Sequence, residues 1–80
     1  MKMGEAVAKR MQECLSERGI SVYRLAHDTC LPVSTLRNLF NGHTKSPTLT
    51  LVFRICEGLG ISVEEFLNSD YFKTENLDLD

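Results

Sequence analysis

Arg37 and Asn38 are adjacent, and their side chains suit paired hydrogen bonding. A guanidinium donates two parallel bonds in a rigid fork, a match for O6 and N7 of guanine. A carboxamide both donates and accepts, a match for N6 and N7 of adenine. At about 100° per residue, Ser34 and Asn41 join them on one side of a helix, with Val33 and Thr35 on the flanks. Opposite lie Leu36, Leu39 and Phe40 at i, i+3 and i+4, a stripe that faces a core. The segment is therefore a helix with one face held by the protein and one face offered outward.

Positioning that helix falls to residues 21–42, which read as two short helices joined by a tight turn. Ser21 is an N-cap, because its hydroxyl accepts from an otherwise unpaired backbone N–H. Leu25 and Ala26 form the buried stripe of the first helix, and the small Ala26 lets the second helix come close. Leu31 marks the turn, and Pro32 suits the first turn of the next helix, where its missing N–H costs nothing. Gly42 ends it by accepting a left-handed conformation. The layout is that of a pair of helices offering a polar face to a DNA groove.

Composition bounds what surrounds this pair. Eighty residues with 42% apolar content fit one small domain, with a net stability on the order of 5 kcal/mol. No stretch approaches the ~20 apolar residues of a membrane span, and the N-terminus lacks a signal-peptide core, so a cytoplasmic protein is expected. Three cysteines make an odd count. Cys14 and Cys56 fall on apolar stripes and Cys30 in the turn, which predicts reduced thiols and no disulfide framework. The net charge of −2 is unevenly spread. Residues 1–60 carry eight basic against five acidic side chains, and residues 61–80 carry Lys73 against six acids. Phosphate binding depends on the local field of the face presented, so a mildly basic body with an acidic tail permits it.

Three more helices complete the chain. Val7, Met11, Cys14 and Leu15 predict an amphipathic helix over about residues 5–18, stopped at Gly19. After a polar loop at 41–47, Thr48 caps a helix with the stripe Leu51, Val52, Ile55 and Leu59, stopped by Gly60. Ser62-Val63-Glu64-Glu65 is a capping box that opens a short fifth helix burying Val63, Phe66 and Leu67. Residues 70–80 read as an acidic tail with frayed last residues, leaving residues 1–69 as the folded domain. Phe66 is assigned to the core. Tyr71 and Phe72 fit either a core or a dimer surface. The expected architecture is all-α, with five helices in one domain.

Other chemistries fail on spacing. His27 and Cys30 are three apart, but no second pair completes a four-coordinate metal set. Glu64 and Glu65 are explained by helix capping better than by acid–base chemistry. Gly58-Leu59-Gly60 lacks the third glycine and the preceding strand of a dinucleotide loop, and reads as a helix stop. No nucleophile–base arrangement can be assembled. No enzyme, cofactor, metal site or small-molecule ligand is expected.

The order and spacing of Leu25-Ala26, Leu31, Ser34-Thr35-Leu36, Leu39, Asn41 to Pro47, Leu51 and Leu59-Gly60-Ile61-Ser62 resemble the phage-repressor family. This is the Cro-type, XRE-like helix-turn-helix family, and the likeness covers about residues 5–67. It implies a five-helix repressor-like fold with the motif at helices two and three, and sequence-specific binding of double-stranded DNA by a transcriptional regulator, expected to repress. By position, Val33, Ser34, Arg37 and Asn38 would face base edges. Ser21, Thr35, Asn41, His43 and Lys45 would approach phosphates. A homodimer is expected, because half-sites one helical turn (~34 Å) apart call for a two-fold axis.

The chain departs from the family at several positions. Val22 stands where a Gln often grips phosphate, and Cys30 where the turn commonly has Gly. Leu15 and Phe40 replace an Arg and a Glu that often pair; because both charges are missing together, no buried charge is stranded. Loss of the Gln and the Arg removes phosphate contacts. The alternative function is therefore a protein-interaction module that keeps the fold with weak or no DNA binding.

Overall fold

The computed structural model describes residues 1–79. It comprises α1 (Met3–Arg18), α2 (Val22–Thr29), α3 (Val33–Phe40), α4 (Leu49–Leu59) and α5 (Val63–Leu67), followed by 3-10 turns at Asp70–Phe72 and Thr74–Asn76. Five helices in the expected order make the fold all-α. Side-chain caps start three of them. Ser21 Oγ accepts from Arg24 N–H at 3.1 Å, Thr48 Oγ1 from Leu51 N–H at 3.1 Å, and Ser62 Oγ from Glu65 N–H at 3.0 Å. At α1 the bond runs the other way, from Lys2 N–H to Glu5 Oε1 at 3.2 Å, which lets the helix begin two residues earlier than its apolar spacing suggests.

Helix ends follow the backbone. Gly19 and Gly60 are left-handed, with φ of 62° and 73°. Cys30 is left-handed too, at 58°, in the turn where the family commonly places glycine. Its N–H reaches back to Ala26 and His27 oxygens, a closed helix end achieved with a side chain present. Pro32 is the N-cap of α3, one position before the first turn. Asn41 is the C-cap, and Gly42 turns the chain just beyond it at φ 77°.

The core runs between α1 and the other four helices, with Met11, Leu25, Leu36, Leu39, Ile55 and Phe66 fully enclosed. Leu15 lies inside this cluster and Phe40 packs partly against it. Within the Gly58-Leu59-Gly60 stop, Gly60 ends the helix and Gly58 is a contact point. A Cβ there would lie 2.5 Å from Thr29 Cγ2 and 2.9 Å from Leu25 Cδ1, so any larger residue would have to displace these two buried side chains of α2. Leu51 and Val63 are half-buried, and Leu67 is exposed, contrary to the burial its spacing predicts. α5 has five residues, too few turns to bury more than Phe66 fully.

The segment from Asp70 folds back on the domain, and its last described residues are held where fraying is expected. The Phe72 ring lies 5.9 Å from that of Phe66, and Tyr71 donates its hydroxyl to Glu13 at 3.2 Å. The Glu13 carboxylate raises the Tyr71 pKa above its ordinary value. At the end, the Met1 ammonium donates to Asn76 O and the Asp78 N–H donates to Met1 O, both at 2.8 Å. Two half-buried rings and a terminus-to-terminus clasp outweigh the polar composition of this segment. Asp80 lies outside the described residues.

Candidate nucleic-acid interface

Burial of Leu36 and Leu39 turns Ser34, Arg37 and Asn38 outward on α3, while Val33 and Thr35 are half-buried at its edges. Ser21 is exposed at the N-terminus of α2. Asn41, His43 and Lys45 are exposed along the loop that leaves α3. Every residue singled out from the sequence thus reaches solvent at least partly.

The loop after α3 is held on both sides. His43 N–H donates to Asn38 O at 2.9 Å, and Gln12 of α1 donates to Phe40 O at 2.7 Å. A Cβ on Gly4 would lie 1.9 Å from Thr44 O, so the first turn of α1 presses directly on the loop backbone. Lys45 follows immediately. Loops that bind are commonly positioned by a rigid scaffold, and here the scaffold is α1.

Cationic groups near the motif differ in what occupies them. Arg24 is paired with Asp28 at 3.1 Å, and His27 Nδ1 lies 3.4 Å from the same carboxylate. Arg37 and Lys45 have no carboxylate within 4.0 Å among the described residues. Arg37 instead lies over the ring of Tyr23, its Cζ 5.3 Å from the centroid, and its Nη2 donates to the Tyr23 hydroxyl. Ser21 uses one oxygen lone pair on its own helix, leaving its proton free to donate.

Tyr23 was not among the residues the sequence marked. It lies on the exposed side of α2, 58% accessible, and meets Arg37 only because the turn folds the two helices together. An exposed aromatic beside a helix N-cap was the one available signal, and periodicity gives it no weight.

The thiols follow burial. Cys14 and Cys56 are enclosed and Cys30 is exposed, all three free. Burial raises the Cys14 pKa and pushes that of Cys56 up to about 11. Among the described residues no cluster of His, Cys, Asp and Glu could hold a metal, and no helix is long and apolar enough to cross a membrane.

A core-anchored helix with an outward polar face, preceded by a capped helix and a tight turn, defines a DNA-binding regulator of the helix-turn-helix class. The chain belongs to the helix-turn-helix family, whose model matches residues 11–66. It is similar to the prophage Lp1 protein 11, with 32% identity and a TM-score of 0.79 over 91% of this chain and 97% of that one. The clp gene regulator ClgR from C. glutamicum shares the fold at 22% identity and a TM-score of 0.76, over 84% of this chain and 86% of that one. No curated protein matches the chain.

Proposed function

We propose that the protein is a repressor that binds DNA as a symmetric dimer, with α3 in the major groove. Val33, Ser34, Arg37 and Asn38 face base edges. Ser21, Thr35, Asn41, His43 and Lys45 hold the flanking phosphates. The observation that carries this reading is the outward face of α3, where Arg37 and Asn38 stand exposed and, among the described residues, no carboxylate lies within 4.0 Å of Arg37. Resemblance to phage repressors favours repression over activation. ClgR, a gene regulator by its description, is consistent with a regulatory role.

One motif touches too few bases for strong discrimination, which is the physical argument for a dimer. The face that fits is on α4 and the start of α5. Leu49 and Phe53, one turn apart, are 65% and 54% exposed. Arg54, Glu57 and Glu64 border the shallow groove beside Phe53, both signs on one patch, as a self-complementary contact between copies requires. Residues 1–69 are then the DNA-binding unit. The acidic 70–80 segment is separate in role although its described part packs on α1.

Selection of bound duplexes from a random DNA pool tests the reading. Enrichment of a short inverted repeat is expected. No sequence preference even at low salt, where phosphate contacts are strongest, would replace it with the interaction-module reading. Sedimentation of the protein alone and on its best duplex checks the dimer; a monomer in both would exclude it.

A further inference from the structure

We propose that Tyr23 is a specificity-determining positioning residue, which holds the Arg37 guanidinium in one orientation so that the pair, and not Arg37 alone, reads a guanine. The inference rests on the reading of α3 as the groove-facing helix.

Two contacts carry it. The guanidinium carbon lies 5.3 Å from the Tyr23 centroid, within cation–π range, and Nη2 donates to the phenol oxygen. The two describe one placement: the hydroxyl holds Nη2, which brings the guanidinium alongside the phenol and limits its rotation about the side-chain axis. A free arginine keeps its rotamer entropy, which an isolated contact to a base must overcome. Here much of that ordering exists before DNA arrives.

The choice of partner matters as much as its position. A carboxylate in place of Tyr23 would neutralise the cation and compete with guanine for its N–H groups, as Asp28 does for Arg24 at 3.1 Å. A phenol is neutral and takes one N–H of five. Nη1 keeps both of its protons and Nη2 keeps one, enough for two parallel bonds to O6 and N7. The phenol oxygen accepts from Arg37, so its own proton is free to donate to a backbone phosphate. Tyr23 lies two residues beyond the Ser21 cap, at the end of α2 assigned to the backbone. One side chain thereby links a backbone contact to a base contact.

The test uses the full chain with the duplex enriched from the random pool and a panel in which each base pair of one half-site is changed. Arg37→Ala should abolish preference at one G·C pair, a loss of roughly tenfold or more. Tyr23→Ala should lose most of the preference at that same pair, and the double variant should lose no more there than Arg37→Ala. Tyr23→Phe keeps the ring and removes the hydroxyl, so it should fall between wild type and Tyr23→Ala at that pair. It also keeps the test valid if Tyr23→Ala fails to fold. The inference is overturned if the Tyr23 variants weaken every duplex alike and leave the Arg37 pair as selective as before. If Arg37→Ala itself changes no position, the base-contact role of Arg37 fails and the inference with it. A pool with no enriched sequence is a different failure, that of DNA reading altogether.

Discussion

Arginines on the α1 side of the molecule and on the α2–α3 side have the same chemistry and opposite uses. Arg10 donates to Phe66 O at 2.7 Å and Glu65 O at 3.0 Å, and also lies beside Glu13. Arg18 donates to Leu59 O at 3.1 Å and Cys14 O at 3.2 Å. Arg10 thereby reaches the last turn of α5 and Arg18 the last residue of α4, where carbonyls lack helical partners and a cation suits the helix dipole. Arg37 donates to the neutral Tyr23 hydroxyl, and among the described residues to no carbonyl. Basic residues counted from the sequence therefore overstate the charge available to DNA, because part of that charge closes helices α4 and α5. A cation bonded to backbone is structural. Arg10 also lies over the Phe66 ring, so what sets Arg37 apart is that its partner is a neutral hydroxyl that takes one N–H and leaves the others for an anion or a base.

The strongest test of that contrast lies beneath both regions, where α1 meets α3. Leu15 is buried and Phe40 packs partly on the same cluster, at positions where relatives often carry an ion pair. Leu15→Arg should cost roughly 3 kcal/mol by burying an unpaired charge, and adding Phe40→Glu should recover part of it. Denaturant melts of the two single variants and the double variant measure the coupling. Strict additivity would mean the two positions do not face each other.

Next in size is a crossed comparison of the two kinds of arginine. Arg10→Ala should lower stability by about 2 kcal/mol, since two carbonyls lose a charged donor, and leave base preference unchanged. Arg37→Ala should shift stability by no more than about 0.5 kcal/mol and act on DNA selectivity instead. Equal thermal shifts for the two would erase the distinction.

Lys45→Ala sharpens the DNA side. It should weaken all duplexes alike and flatten the slope of log K against log salt by about one unit, since one fewer counterion is released. A change in base preference with an unaltered slope would move Lys45 from phosphate to base.

The smallest effect at neutral pH concerns the thiols. Both buried cysteines have raised pKa values, Cys56 to about 11 against an ordinary 9.0. Below pH 9 they are protonated whether the chain is folded or not, and their contribution is fully present. As pH climbs from 9 towards 11 the unfolded chain ionises first, so stability should fall across that window. Thiol-specific reagents at pH 8 should label Cys30 quickly and the other two only on unfolding.

Much of the fold was legible because burial leaves a period in the sequence. Val7, Met11, Cys14 and Leu15 recur at helical spacing and all four are enclosed. Ser21, Thr48 and Ser62 cap the helices they precede, because a side-chain oxygen next to unpaired N–H groups is a purely local device. The outward face of α3 follows from the same rule: once Leu36 and Leu39 point in, Arg37 and Asn38 must point out. Local spacing had no access to contacts between helices. Leu67 matched a stripe yet lies exposed, at the end of a helix of only five residues.

Local sequence was enough for the existence and order of the five helices, for the caps that open α2, α4 and α5, and for the face of α3 that meets solvent, since these depend on neighbours within a few positions. Tertiary structure decided which cations remain free, because Arg10 meets Phe66 across 56 residues and Arg37 meets Tyr23 across 14. It made Gly58, just before the Gly60 stop, the point where α4 touches α2. It also laid the polar C-terminal segment against α1, where two half-buried rings and the Met1 clasp hold it. Each of these outcomes depends on groups brought together by packing, and no periodicity along the chain records that meeting.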